Sequence, residues 1–215
     1  MNTRALWDHA MDHLHATADH PAEMLDRWRS ETPVRCTDRD LLSEYGWVVI
    51  SCGLTPHVAT KHWPRFTEAF RNWEPLAVAD NRIAVRTDAL AIIKNARKMD
   101  VILDFADDLA REPGLMQRLA AMEVKQVMAK FATLPWVGAN NRYHLARNLG
   151  WDVVVKNGPV PRLAAFLETT SEELCERIAE ETGERVRTVD LVLWYWGHQV
   201  GDVAMKEMAS LFKYL

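Results

Sequence analysis

The chain has 215 residues, 48% of them hydrophobic and 26% charged, the balance of a soluble folded protein and not of a disordered or fibrous one. A formal net charge of -4 excludes a protein that coats nucleic acid nonspecifically, because such binding needs many Lys and Arg contacts to phosphate; local basic patches stay open. No stretch approaches the roughly 18 apolar residues of a membrane helix, and the polar N-terminus lacks the apolar run of a secretory signal.

A cytoplasmic protein with no membrane partner is therefore expected. The length suits one compact helical domain spanning 1–215, or two small lobes sharing a core. Cys36, Cys52 and Cys175 are widely spaced, odd in number and without a CxxC pair. Disulfides, zinc and iron–sulfur clusters are disfavoured, so buried thiols, no metal and no cofactor are expected. Tryptophan is abundant, with nine residues, and could stack on extruded bases, although a large aromatic at helical spacing is more often core.

Leu6, Ala10 and Leu14, then Met24, Leu25 and Trp28, interrupted by Pro21, predict two short helices. His9 and His13, four residues apart with His20 following, could hold a metal, but a solvated face is the preferred reading. Trp47–Ile50 is an apolar run that periodicity alone leaves open as a buried strand, closed by Gly53 and Pro56. Trp63, Phe66, Ala69, Phe70 and Trp73 follow helical spacing up to Pro75. Met99, Ile102, Leu103, Ala106 and Ala110 predict one long helix from Asp88 to Arg111, ended near Pro113-Gly114.

Ala120, Val124, Val127, Met128 and Phe131 form the next stripe. A tight segment from Leu134 to Gly138 separates it from a helix bearing Tyr143, Ala146 and Leu149, stopped by Gly150. A Thr170–Glu173 capping box opens another helix that Gly183 ends. Val189, Val192, Leu193 and Trp196 mark a helix expected to stop at Gly197, and Ala204, Met208, Leu211, Phe212 and Leu215 mark the last. No internal repeat and no convincing sheet is visible, so the fold class is all-α.

The helix–turn–helix reads Phe131-Ala-Thr-Leu-Pro-Trp-Val-Gly-Ala-Asn-Asn-Arg-Tyr-His-Leu-Ala-Arg-Asn-Leu-Gly150. It resembles the helix-hairpin-helix of the DNA glycosylase superfamily, whose hairpin runs Leu-Pro-Gly-hydrophobic-Gly; Trp136 stands where that pattern has its first glycine. In such a hairpin, spanning about 119–150, exposed N–H groups and a positive helix terminus grip a phosphate without reading bases. That needs no basic protein overall. The resemblance thus implies a two-lobed glycosylase-like fold with Leu134, Pro135, Trp136, Val137, Gly138 and Arg142 at the DNA. Glu44–Leu54 resembles the superfamily's first helix, which implies a helix at Trp47–Ile50. Val155–Ala164 is similar to the superfamily's Lys-Pro-Asp-x-His-x-x-Arg-Leu-Ala crossover, one residue shortened.

The groups that carry glycosylase chemistry do not match. The position of the hairpin lysine falls on Asn140, that of the aspartate on Asn157 or Gly158, and that of a wedge glutamine on Gly53; the four C-terminal cysteines of iron–sulfur members are absent. Without the carboxylate, cleavage of the sugar–base bond loses its main electrostatic support. Gly138–Gly150 and the Thr-Val-Asp-x-Val-Leu-Trp of Thr188–Trp194 are similar to the glycosylase-like phage amino acid:DNA transferases, also described as glutamyl- or putrescinyl-thymine pyrophosphorylases.

That resemblance implies thymine hypermodification: a flipped 5-phosphomethyluracil in double-stranded DNA is attacked at its C5 methylene by the amine of a free amino acid such as glycine, and phosphate leaves. Lys156, Arg142, Arg97 and Lys98 are candidate phosphate binders, and Asp190 could orient or deprotonate the amine. The expected reacting set is Asn140, Lys156, Asn157 and Asp190. Two alternatives stand beside it: a base-excision glycosylase using another carboxylate, and a module that binds modified DNA without turnover.

Overall fold

A computed structural model describes residues 1–214, and the side chains of all of these except 56, 57 and 214. In chain order the helices are α1 (Thr3–Thr17), α2 (Pro21–Ser30), α3 (Asp38–Ser51), α4 (Pro56–Ala69), α5 (Pro75–Asp80), α6 (Arg82–Ile92), α7 (Ala96–Arg111), α8 (Leu115–Ala120), α9 (Val124–Thr133), α10 (Gly138–Asn148), α11 (Pro159–Phe166), α12 (Ser171–Thr182) and α13 (Val186–Tyr214). Among the described residues there is no strand, so the chain is all-α.

Local chemistry starts many of these helices. Pro21, Pro56, Pro75 and Pro159 each open one, where a missing N–H costs nothing. Thr37 and Asp40 form a capping box at α3, and Thr170 and Glu173 form the expected one at α12, which Gly183 ends in the left-handed conformation. The Trp47–Ile50 run lies inside α3, not in a strand. Its periodicity is obscured because Val48, Val49 and Ile50 are all buried, so no polar face marks the helical repeat.

The chain groups into two compact units: Met1–Glu31 with Gly150–Leu215, and Thr32–Leu149. The first packs α1 and α2 with α11, α12 and α13 around Leu6, Leu14, Leu163, Ile178, Leu193 and Trp196. Arg187, 1% exposed, ties the start of α13 to the end of α2, donating to the Trp28 carbonyl and pairing with Glu31 at 3.0 Å. The second unit holds α3 to α10, with Leu41, Tyr45, Phe66, Phe70, Ile102, Leu103 and Phe131 buried.

Four expectations are corrected. Asp88–Arg111 is two helices, because the chain leaves the helix at Ile93 and Asn95 caps α7 through the Lys98 N–H, 3.2 Å away. Gly197 does not stop its helix. A Cβ there would lie 2.4 Å from Pro159 Cβ and 2.8 Å from Met205 Sδ, so this glycine serves close packing, and the break falls at Gly201 (φ 75°, ψ 173°). His9 and His13 are half-buried and not on a solvated face; the His9 ring lies 5.8 Å from Trp196 and 6.0 Å from Phe212. Cys36 and Cys175 are buried thiols, but Cys52 is only half-buried. Leu215, assigned to the last stripe, lies outside the described residues.

Candidate nucleic-acid interface

The hairpin is built by α9, the turn at Leu134–Val137 and α10. The chain leaves α9 at Leu134 in an extended conformation, and the Val137 N–H returns to the Leu134 carbonyl at 3.2 Å. Both glycine positions of the motif are left-handed: Gly138 has φ 55° and Trp136 has φ 67°. Trp136 thus adopts the backbone that a glycine would supply, at a cost of about 1–2 kcal/mol for a residue with a side chain. Two contacts hold it there. Tyr45 Oη donates to the Pro135 carbonyl at 3.2 Å, and Asn141 Nδ2 donates to the Trp136 carbonyl at 3.1 Å. Burial pushes the Tyr45 hydroxyl's pKa well up, so it stays a donor.

Helix α10 begins with Gly138, Ala139 and Asn140 exposed, no carboxylate in its first turn and no side-chain cap. Its N-terminal N–H groups carry the positive end of the helix dipole toward solvent. A Cβ on Gly138 would meet nothing within 4 Å, so the space before these groups is open. Arg142 is half-buried; its guanidinium carbon lies 5.3 Å from the Tyr143 ring centre, and its Nε is buried without a hydrogen-bond partner.

Arg97 and Lys98, adjacent in α7, have different fates. Arg97 is exposed, its guanidinium carbon 5.8 Å from the centre of the Trp136 ring. Lys98 is 6% exposed. Its ammonium donates to the carbonyls of Ile50, at 2.9 Å, and Cys52, closing the C-terminus of α3, and lies 5.5 Å from the Trp136 ring centre. Burial lowers its pKa from the ordinary lysine value.

The remaining candidates lie in the other unit. Lys156 is exposed and pairs with Glu172 at the start of α12. Asn157 is half-buried, and Gly158 has φ 91°, ψ −155°, a glycine-only conformation that aims the chain into α11. The Trp194 indole nitrogen lies 3.3 Å from where a Gly158 Cβ would be. Asp190 is fully buried, and its carboxylate accepts the Val155 N–H at 3.3 Å, so it holds the 152–158 segment from beneath.

Sequence reasoning missed Tyr45 and the anchoring of this segment. Asp152 accepts the Arg187 N–H at 2.7 Å, and Asp190 binds Val155; both pairings span 35 residues and leave no local pattern. Leu134, Pro135, Trp136, Val137, Gly138, Asn140, Arg142, Arg97 and Lys98 are brought into one unit, while Lys156, Asn157 and Asp190 share the other. The chain matches no protein-family model, no curated protein and no solved structure.

Proposed function

We propose that this chain is a DNA-modifying transferase that flips a 5-phosphomethyluracil-type base and joins a free amino acid such as glycine to its C5 methylene, in viral DNA hypermodification. The observation that carries the DNA half of this reading is the turn at Leu134–Gly138. Left-handed backbone at both motif positions feeds an exposed, uncapped, carboxylate-free helix N-terminus, the arrangement that receives a phosphate.

The transferase half rests on the resemblance of Gly138–Gly150 and Thr188–Trp194 and on the chemistry missing at Asn140, Asn157 and Gly158. In the proposed step the amine forms a C–N bond at the methylene, the C–O bond to phosphate breaks, and the proton lost by the amine is taken up by the departing phosphate. Lys156 is assigned to the departing phosphate, which it meets by leaving its ion pair with Glu172. Asp190, buried and holding Val155, is assigned to positioning the Lys156–Asn157 segment, and not to proton transfer.

A glycosylase with the superfamily's usual aspartate would carry it in 150–158. Asp152 is the only one in that sequence, and it is engaged by the Arg187 N–H and by Arg185 at 3.8 Å. The decisive experiment supplies duplex DNA containing 5-phosphomethyluracil with a mixture of amino acids, then digests to nucleosides for mass spectrometry. A thymidine derivative heavier by one amino acid residue, with released phosphate and no abasic sites, is expected. Free base and abasic sites without an adduct would replace the transferase with a glycosylase; binding without either product would leave a modified-DNA reader.

A further inference from the structure

Trp136 is a costly choice for its position. A left-handed residue in an exposed turn is ordinarily glycine, and here a large aromatic takes the strain while remaining half-exposed. Its ring is the point at which three segments of this unit meet. From α7 come the exposed Arg97 guanidinium and the buried Lys98 ammonium, 5.8 and 5.5 Å from the ring centre. From α3 come the Ile50 and Cys52 carbonyls that hold the same ammonium.

Two of the three Lys98 N–H donors go to these carbonyls, and drawing the ammonium outward to a phosphate would strand both at a helix end. Its charge is spent inside the protein. Among the described residues Arg97 pairs with no carboxylate, and neither α7 nor α10 carries an acid in its first turn. The ring restricts the guanidinium and lowers the entropy lost when it meets an anion.

We infer that Arg97, Trp136 and Lys98 act as one strand contact, in which Arg97 meets the DNA phosphate while Trp136 and Lys98 are positioning residues that aim it. This rests on the DNA-binding reading above and deepens it. The ring serves as a pedestal for the guanidinium, and the buried ammonium fixes that pedestal to the end of α3. The partner is duplex DNA, recognised through phosphate and not through base edges.

The test is a salt titration of duplex DNA affinity for the full chain and for Arg97→Ala, Trp136→Gly, Lys98→Met and the doubles Arg97→Ala/Trp136→Gly and Arg97→Ala/Lys98→Met. One lost phosphate contact lowers the slope of log affinity against log salt by about 0.9. Each single variant should bind about fivefold to tenfold more weakly in low salt and lose about one contact of slope. Each double should match Arg97→Ala alone, because the positioning residues act only through Arg97.

Doubles whose slopes fall by about 1.8 would make Lys98 or Trp136 an independent contact and overturn the inference while leaving DNA binding intact. Folded Lys98→Met and Trp136→Gly with unchanged affinity would overturn it equally. If Lys98→Met loses its helicity, Trp136→Gly decides the matter, since the backbone there already suits glycine. Absence of salt-sensitive binding by the unsubstituted chain would overturn the DNA reading and this inference together.

Discussion

Replacing Gly138 with alanine separates a backbone requirement from an interface requirement. At φ 55° a Cβ costs about 1–2 kcal/mol, and no protein atom within 4 Å adds a clash. The loss of stability should therefore be about 1–2 kcal/mol, a fall of roughly 2–8 °C in Tm for a chain of this size. DNA affinity should fall further, by tenfold or more, because the methyl group stands where a phosphate oxygen must approach the α10 N–H groups. Gly183 provides a matched control: it is left-handed at φ 74°, its Cβ space is also empty, and it caps α12, which belongs to the other unit. Gly183→Ala should cost similar stability and leave affinity unchanged. The assays are thermal unfolding followed by circular dichroism and fluorescence anisotropy on labelled duplex. Equal affinities for the two variants and the unsubstituted chain would show that the backbone at Gly138 does not meet the strand.

In the other unit, Gly197→Ala gains roughly 1 kcal/mol of helix propensity but forces a methyl into Pro159 and Met205. A net destabilisation of about 1–2 kcal/mol is expected, and an unchanged denaturation midpoint would contradict that close approach. Lys156→Ala should reduce the rate of amino acid transfer by at least tenfold while changing DNA affinity less than threefold, because an ammonium that meets the departing phosphate acts in the transition state; equal losses in both would assign it to binding. Burial, and secondarily the charge of His9, lowers the His13 pKa from the ordinary 6.5, so the unfolded chain takes up this proton first. Stability should thus decline as pH falls below 6.5 toward the lower folded value, and His13→Gln should flatten that decline in urea titrations at successive pH values; an identical slope in the variant would refute the assignment.

Sequence alone determined the all-helical class and the features whose causes are local. The Thr170–Glu173 box and the Gly183 cap each act within a turn or two of chain, so residue type and spacing are sufficient, whereas Pro21, Pro56 and Pro75, read as interruptions or ends, instead open helices. The hairpin's place between Phe131 and Gly150 was legible for the same reason. Asn95 was a readable signal too: an amide able to cap the Lys98 N–H marks the break inside Asp88–Arg111, but the expectation carried the stripe that begins at Met99 back across it to Asp88.

Other outcomes depended on partners distant in sequence. Gly197 and Gly201 look alike in the chain, yet Pro159 packs against the first and keeps it helical, while the second carries the break. Arg97 and Lys98 are neighbouring cations of similar character. Only the tertiary arrangement exposes one and buries the other against the end of α3, because successive residues of α7 point about 100° apart around the helix axis and only Lys98 faces α3. Trp136 at a glycine position reads as a departure from the motif. The fold instead keeps the left-handed backbone under the tryptophan, since hydrogen bonds from Tyr45 and Asn141 hold the turn and the ring lies near two cations.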